Sequence, residues 1–232
     1  VENSFAYTVK GLQWANELRL PVQIHTDIYR NNIHDLESIA ALLKGFRILS
    51  WTLAFPPAAR SNQPDDLLTS EEFELAFERI HAIAQQVPFK IKTAEAEHYR
   101  RFVVQQHAKA RTESSSADFV EDGIPGILPI NQSRASIYIT STGEVYPSGY
   151  LAASGGNVRR QKLAEIYRDS DIFKALRDPG NLKGKCGQCE FKQLCGGSRG
   201  RAFVQAGDMF AQDDSCVYQP ASLRQPLVQL ES

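Results

Sequence analysis

All four cysteines of the chain lie in one stretch near its C-terminal end. They follow the pattern Cys-x2-Cys-x5-Cys-x20-Cys, at Cys186, Cys189, Cys195 and Cys216. Cysteines two residues apart can bind one metal within a single turn, and a distant fourth ligand closes the site and constrains a long loop. Four thiolates are typical ligands of zinc and of iron–sulfur clusters. The spacing therefore predicts a four-cysteine metal site and leaves the choice of metal open.

Two disulfides would be the competing use of four cysteines, and they require an oxidising compartment. The chain opens directly into a helical pattern, without a recognisable secretory signal. We therefore expect a metal site and a cytoplasmic location. Because the first residue is Val1, we also expect the chain to be part of a longer protein.

Charge and hydropathy limit the possible partners. The 232 residues carry a net charge of −1, and no apolar run reaches the length of a membrane span. We therefore predict neither a nucleic-acid partner nor a membrane partner. Hydrophobic and charged residues make up 42% and 23% of the chain, which is ordinary for a globular protein.

The first hundred residues alternate between helical and strand patterns. Gly45 and Pro88 are helix stops, and Thr69-Ser-Glu-Glu72 is a capping box that opens a helix. The predicted helices cover 4–18, 33–43 and 73–87, and the predicted strands cover 22–28, 46–55 and 89–93. This order predicts an α/β fold with a parallel sheet and helical crossovers.

The pattern changes after the third strand. A helix is predicted over 95–108, with Arg100 and Arg101 as solvated charges, and a hairpin is predicted around Thr142-Gly143. Helical turns follow over 163–176. The predicted division of the chain is a first domain over 1–108, a linker or mobile loop over 109–135, a second domain over 136–220 and a tail over 221–232.

The second domain resembles a known family. The matching segments are STGEVYPSG at 141–149, GNV at 156–158, LAEIY at 163–167 and KCGQCEFKQLCGGS at 185–198. Together they resemble the C-terminal half of a radical S-adenosylmethionine (radical SAM) enzyme with a SPASM- or twitch-type auxiliary-cluster domain. The resemblance implies the second half of a partial (β/α)6 TIM-like barrel, followed by a small α+β domain with a hairpin and the four-cysteine site.

The family pattern has ligands for two auxiliary clusters, and this chain departs from it. Ser148 and Arg199 stand where the pattern has cysteines, so the ligands of the first auxiliary cluster are missing together. The four cysteines present match the second set. The resemblance therefore implies one auxiliary [4Fe-4S] cluster in preference to zinc. Arg199 is either a counter-charge to that cluster or a surface residue.

The family's Cys-x3-Cys-x2-Cys motif and its glycine-rich motif are absent from this chain, so the chain as given cannot start radical chemistry. For the intact protein, the resemblance implies S-adenosylmethionine, a second [4Fe-4S] cluster and an electron donor such as flavodoxin or ferredoxin. It implies an oxidoreductase that abstracts hydrogen from a peptide or tetrapyrrole-type substrate. The alternative is a non-catalytic binding module with a structural zinc site.

Parallel barrels place chemistry at the C-terminal ends of their strands. His25 and Thr26 lie at the first such end, and Lys92 and Glu95 lie at the third. We predict these four as cofactor-binding residues, with His98 as a further candidate for lining a pocket. Trp51 and Phe55, near the second end, are predicted to pack in the core. The catalytic residues stay unassigned.

Overall fold

The computed structural model describes residues 3–58, 66–113 and 136–224. Most of the predicted linker over 109–135 and the last residues of the predicted tail lie outside these ranges. No helix within the ranges is both long and apolar enough to span a membrane.

The first part of the chain forms a three-stranded parallel sheet in the order β1-β2-β3, as the alternating pattern predicted. Its strands are β1 (Val22–Asp27), β2 (Ile48–Ala54) and β3 (Lys90–Ala94). The helices of this part are α1 (Ser4–Glu17), α2 (Leu36–Leu43), α3 (Ser70–Ala84) and α4 (His98–Glu113). Parallel neighbours require crossovers, which α2 and α3 supply.

Two helix starts differ from the sequence-based prediction. The helix predicted from residue 33 begins with a 3₁₀ turn, Ile33–Asp35. The helix predicted over 95–108 begins at His98 and continues to Glu113, into the predicted linker. Glu95 cannot belong to that helix because its φ is 55°, in the left-handed region. The chain therefore turns sharply between β3 and α4.

The core of this unit lies between the sheet and its helices. Trp51, Leu53 and Phe55 of the central strand and its end pack with Phe73 and Phe77 of α3. Trp51 and Phe55 are almost fully buried, which confirms that they are packing residues. Full burial of one such side chain contributes about 1.5–3 kcal/mol.

The second part is a smaller α+β unit. Its antiparallel strands, in the order β4-β5-β6, are β4 (Tyr138–Ile139), β5 (Glu144–Tyr146) and β6 (Gly156–Asn157). The predicted hairpin is confirmed, with Gly143 at φ 92° in its turn. The α-helices described in this unit are α5 (Leu163–Asp169), α6 (Asp171–Arg177), α7 (Gly184–Gln188) and α8 (Arg199–Ala206).

The capping box at the start of α3 is present as predicted. The Thr69 hydroxyl accepts from the Glu72 amide at 3.2 Å, and the Glu72 carboxylate accepts from the Thr69 amide at 2.7 Å. Thr69→Ala removes one of these bonds and should lower the free energy of unfolding by about 1 kcal/mol. Urea denaturation followed by circular dichroism measures this change.

Thr8→Ala is the matched control. Thr8 is an exposed threonine whose hydroxyl donates to the Ser4 carbonyl within α1, so it caps no helix end. The control should change stability by less than about 0.5 kcal/mol. Equal losses in the two variants would contradict the capping role of Thr69.

Candidate metal centre

The four cysteines border a single pocket. Cys186 lies in α7, Cys189 follows that helix, Cys195 precedes a pair of glycines, and Cys216 comes from the loop after α8. All four are free thiols, and none forms a disulfide. The structure thus brings together around one pocket the residues that the spacing selected.

The backbone around the pocket approaches the sulfurs closely. The Gly197 amide lies 3.3 Å from Cys195 Sγ, and the Asp213 amide lies 3.4 Å from Cys186 Sγ. Gly197 has a φ of 70°, and a Cβ at Gly187 would come within 2.2 Å of the Leu182 carbonyl oxygen. Only glycine suits these two positions. Backbone N–H groups directed at sulfur are typical of metal-bound thiolates.

Two guanidinium groups also lie beside the sulfurs. Arg199 Nη2 is 4.0 Å from Cys186 Sγ, and its Nη1 donates to the carbonyls of Met209 and Ala211. Arg101 Nη2 is 4.0 Å from Cys216 Sγ. Arg199 is buried, so of its two predicted roles the structure favours the counter-charge over the surface residue.

The prediction that Arg100 and Arg101 are solvated was wrong. Both are buried, because the cysteine-bearing segment covers this face of α4. Arg100 donates to the Leu194 carbonyl at 3.3 Å. Arg101 pairs with Glu74 and lies over the Tyr218 ring. Helical spacing alone could not reveal this covering segment, which lies about a hundred residues further along the chain.

Burial disfavours the thiolate form of three of the four cysteines. It raises the pKa of the Cys195 thiol well above its usual value and also raises the pKa values of Cys189 and Cys216. Metal binding requires deprotonated sulfur, so a bound cation has to supply the compensating charge. The pocket therefore has the donor chemistry of a metal centre, with the two nearby guanidinium groups as additional compensation.

A buried arginine joins the metal-site region to the sheet. Arg201 of α8 donates to the carbonyls of Phe55 and Glu95, at 2.8 Å and 2.6 Å, just beyond the ends of β2 and β3. Its other nitrogen lies 3.3 Å from Asp213 Oδ2, and both side chains are buried. Sequence reasoning missed Arg201 and Asp213, because neither belongs to a recognisable motif.

The predicted cofactor-binding residues are not brought into one cluster. His25 is exposed, and its Nε2 lies 2.9 Å from Asp27 Oδ1. The strand register aligns His25 with Thr52 and Lys92, so these three side chains share a face of the sheet. Their roles stay predictions.

Thr26 and Glu95 lie elsewhere. The Thr26 hydroxyl accepts from Trp51 Nε1 at 2.9 Å, on the core side of the sheet.

The buried Glu95 carboxylate accepts from the Ser198 hydroxyl, where the two units meet. Burial raises the pKa of Glu95, and burial together with the Glu95 charge raises the pKa of Glu97 to about 7. This junction therefore contains two carboxyl groups that are easily protonated.

The Arg201–Asp213 pair should dominate the stability of the junction. Asp213→Asn leaves the Arg201 charge buried without its counter-ion, which should lower the free energy of unfolding by about 3–5 kcal/mol. Urea unfolding of the purified chain measures the loss. Asp214→Asn is the control, since Asp214 is exposed and accepts from the Gln212 side chain. Similar small losses in both variants would contradict a junction that depends on this pair.

Comparison with known proteins agrees with the site geometry. The family model of SPASM, an iron–sulfur cluster-binding domain, matches residues 131–190. An AdoMet-dependent heme synthase of Methanosarcina barkeri is 30% identical over 94% of this chain and 62% of its own length. A PqqA peptide cyclase of Rhodopseudomonas palustris is 25% identical over 90% of this chain and 52% of its own length.

Solved structures show the same fold. SuiB of Streptococcus suis has a TM-score of 0.60 at 13% identity, over 91% of this chain and 49% of that one. AnSMEcpe with bound AdoMet has a TM-score of 0.57 at 13% identity, over 92% of this chain and 56% of that one. The chain spans about half to three-fifths of the length of the relatives that it matches. The chain is thus similar over most of its length to radical SAM enzymes, and residues 131–190 match the SPASM iron–sulfur cluster-binding domain.

Proposed function

We propose that this chain is the SPASM-containing part of a radical SAM oxidoreductase and that its four cysteines bind one auxiliary [4Fe-4S] cluster. The observation that carries the proposal is the shared pocket of Cys186, Cys189, Cys195 and Cys216. The four free thiols, the amides directed at them and the two guanidinium groups fit an anionic, thiolate-bound centre.

One observation favours the cluster over a structural zinc ion. The matching family model is that of an iron–sulfur cluster-binding domain, and its match includes Cys186 and Cys189. The other two cysteines, Cys195 and Cys216, border the same pocket as these two.

A cluster bound in this way supplies one-electron transfer. Because four cysteines provide four ligands, no iron is left open for direct ligation of the substrate. We therefore assign the centre to electron transfer or to shaping the substrate pocket. Around it, Arg199 and Arg101 offset negative charge, and Phe191, Tyr218 and Pro220 line the pocket and limit its contact with water.

The wider activity is proposed from the relatives. Among them are heme synthases and peptide cyclases, which supports a tetrapyrrole-type or peptide substrate. In the intact protein, S-adenosylmethionine and its own [4Fe-4S] cluster would supply the radical that abstracts hydrogen. An electron donor such as flavodoxin or ferredoxin would reduce that cluster. The proposed location is the cytoplasm, where thiols stay reduced.

Anaerobic loading of the chain with iron and sulfide tests the metal assignment. We expect a brown protein with about four irons per chain and broad absorbance near the boundary of the visible and ultraviolet ranges. Cys189→Ala should lose most of the iron because it removes one of the four ligands. A colourless wild-type chain with one zinc would contradict the proposal and favour the zinc-binding module.

Ser148→Ala is the matched control for the cysteine variant. Ser148 occupies the position where the family pattern has a ligand of the first auxiliary cluster, and its hydroxyl here accepts from the Tyr150 amide. Its removal should leave the iron content unchanged. A loss of iron in this variant would show that the binding site is not confined to the four cysteines.

The catalytic half of the proposal needs a separate test. The complete gene product, reduced anaerobically with S-adenosylmethionine, should form 5′-deoxyadenosine, which chromatography detects. A complete product without three closely spaced cysteines outside this chain, or without this activity, would contradict the radical assignment. The cluster assignment is tested separately, by the iron-loading experiment.

A further inference from the structure

His98 is a buried side chain whose polar atoms have no partner among the described residues. It is the first residue of α4 and has no exposed surface. Neither Nδ1 nor Nε2 has a hydrogen-bond partner in residues 3–58, 66–113 and 136–224. A buried donor or acceptor without a partner costs about 1–3 kcal/mol. Such a residue calls for a partner that the described protein atoms do not supply.

The surroundings of the ring indicate where that partner lies. The imidazole packs against Phe73 and Phe77, with centroids 4.9 Å and 4.8 Å away, and neither phenyl ring can replace a full hydrogen bond. His98 is also one of the residues that line the pocket bordered by the four cysteines. Arg101, three residues later on the same face of α4, lines that pocket too. The sheet unit therefore contributes one cation and one unpaired imidazole to the cysteine pocket.

The charge state of the ring suits a donor. Burial lowers the pKa of His98 to about 3, so the imidazole is neutral near pH 7 and keeps one N–H. It is the one histidine among the residues that line this pocket. A neutral N–H directed at sulfur stabilises the more negative, reduced state of an iron–sulfur centre more than the oxidised state.

We propose that His98 donates a hydrogen bond to a sulfur of the centre bound by the four cysteines and raises its reduction potential. The inference rests on the cluster assignment proposed above. In this arrangement, a positioning residue at the start of α4 sets the electron affinity of a centre whose ligands all come from the second unit. The same contact would satisfy the imidazole and couple the metal centre to the sheet.

The test compares the potentials of loaded variants by redox titration monitored with electron paramagnetic resonance. His98→Phe keeps a planar ring and removes the N–H. It should shift the reduction equilibrium about tenfold towards the oxidised form, which is about 59 mV for one electron. His98→Gln restores a donor and should recover most of that shift. A purely structural role predicts no such recovery.

His81→Phe is the matched control. His81 lies on α3, where it contacts the Phe102 and His107 rings, and it does not line the cysteine pocket. This variant should have the wild-type potential. A shift equal to that of His98→Phe would show that loss of any histidine of this unit changes the potential and would overturn the proposal.

A measurement on the wild-type chain covers the case in which the variants do not fold. Incorporation of ¹⁵N-histidine should produce a ¹⁵N coupling to the reduced centre in pulsed electron paramagnetic resonance, together with an exchangeable proton. If four irons bind and these couplings are absent, the His98 proposal is overturned and the cluster assignment stands. If the wild-type chain takes up zinc and no iron, both are overturned.

Discussion

The structure depends on a buried ion pair between Arg201 and Asp213. Arg201 reaches across to the carbonyls of Phe55 and Glu95, beyond two strand ends, and the Asp213 amide is directed at Cys186 Sγ. Isolated buried charges are costly, so the pair is tolerated only where the geometry satisfies both partners. The same few atoms therefore fix the position of the cysteine loop on the sheet.

This arrangement explains why the candidate metal centre belongs to both units. The second unit supplies the four sulfurs, whereas α4 of the sheet unit supplies Arg101 and His98 to the same pocket. If the junction loosened, the cysteine loop would lose the side chains that balance its charge. The fold of the junction and the surroundings of the four cysteines are thus linked by contacts between segments about a hundred residues apart.

Local patterns predicted most of the helices and strands and selected the cysteines that border one pocket. The cysteine spacing selected the residues of the pocket, and the capping box around Thr69 marked the start of α3. Local patterns failed for the charged residues. Arg100 and Arg101 were predicted as solvated helix charges, and only the distant segment that covers them makes them buried.

The same limit applies to the predicted cofactor-binding residues. Strand alternation within single strands does not give the register that puts His25 and Lys92 on one face of the sheet. It could not foresee that the Glu95 carboxylate would be engaged by Ser198, about a hundred residues later. Contacts between distant segments decide which partner each of these side chains has. Local sequence patterns do not predict such contacts.

The central claim is that four sulfurs surround one iron–sulfur core beside α4. Anomalous diffraction at the iron edge from crystals of the anaerobically loaded chain tests it most directly. The account predicts one compact four-iron peak in the pocket bordered by Cys186, Cys189, Cys195 and Cys216, next to His98. A single-ion peak at the zinc edge, or iron bound elsewhere on the chain, would contradict it.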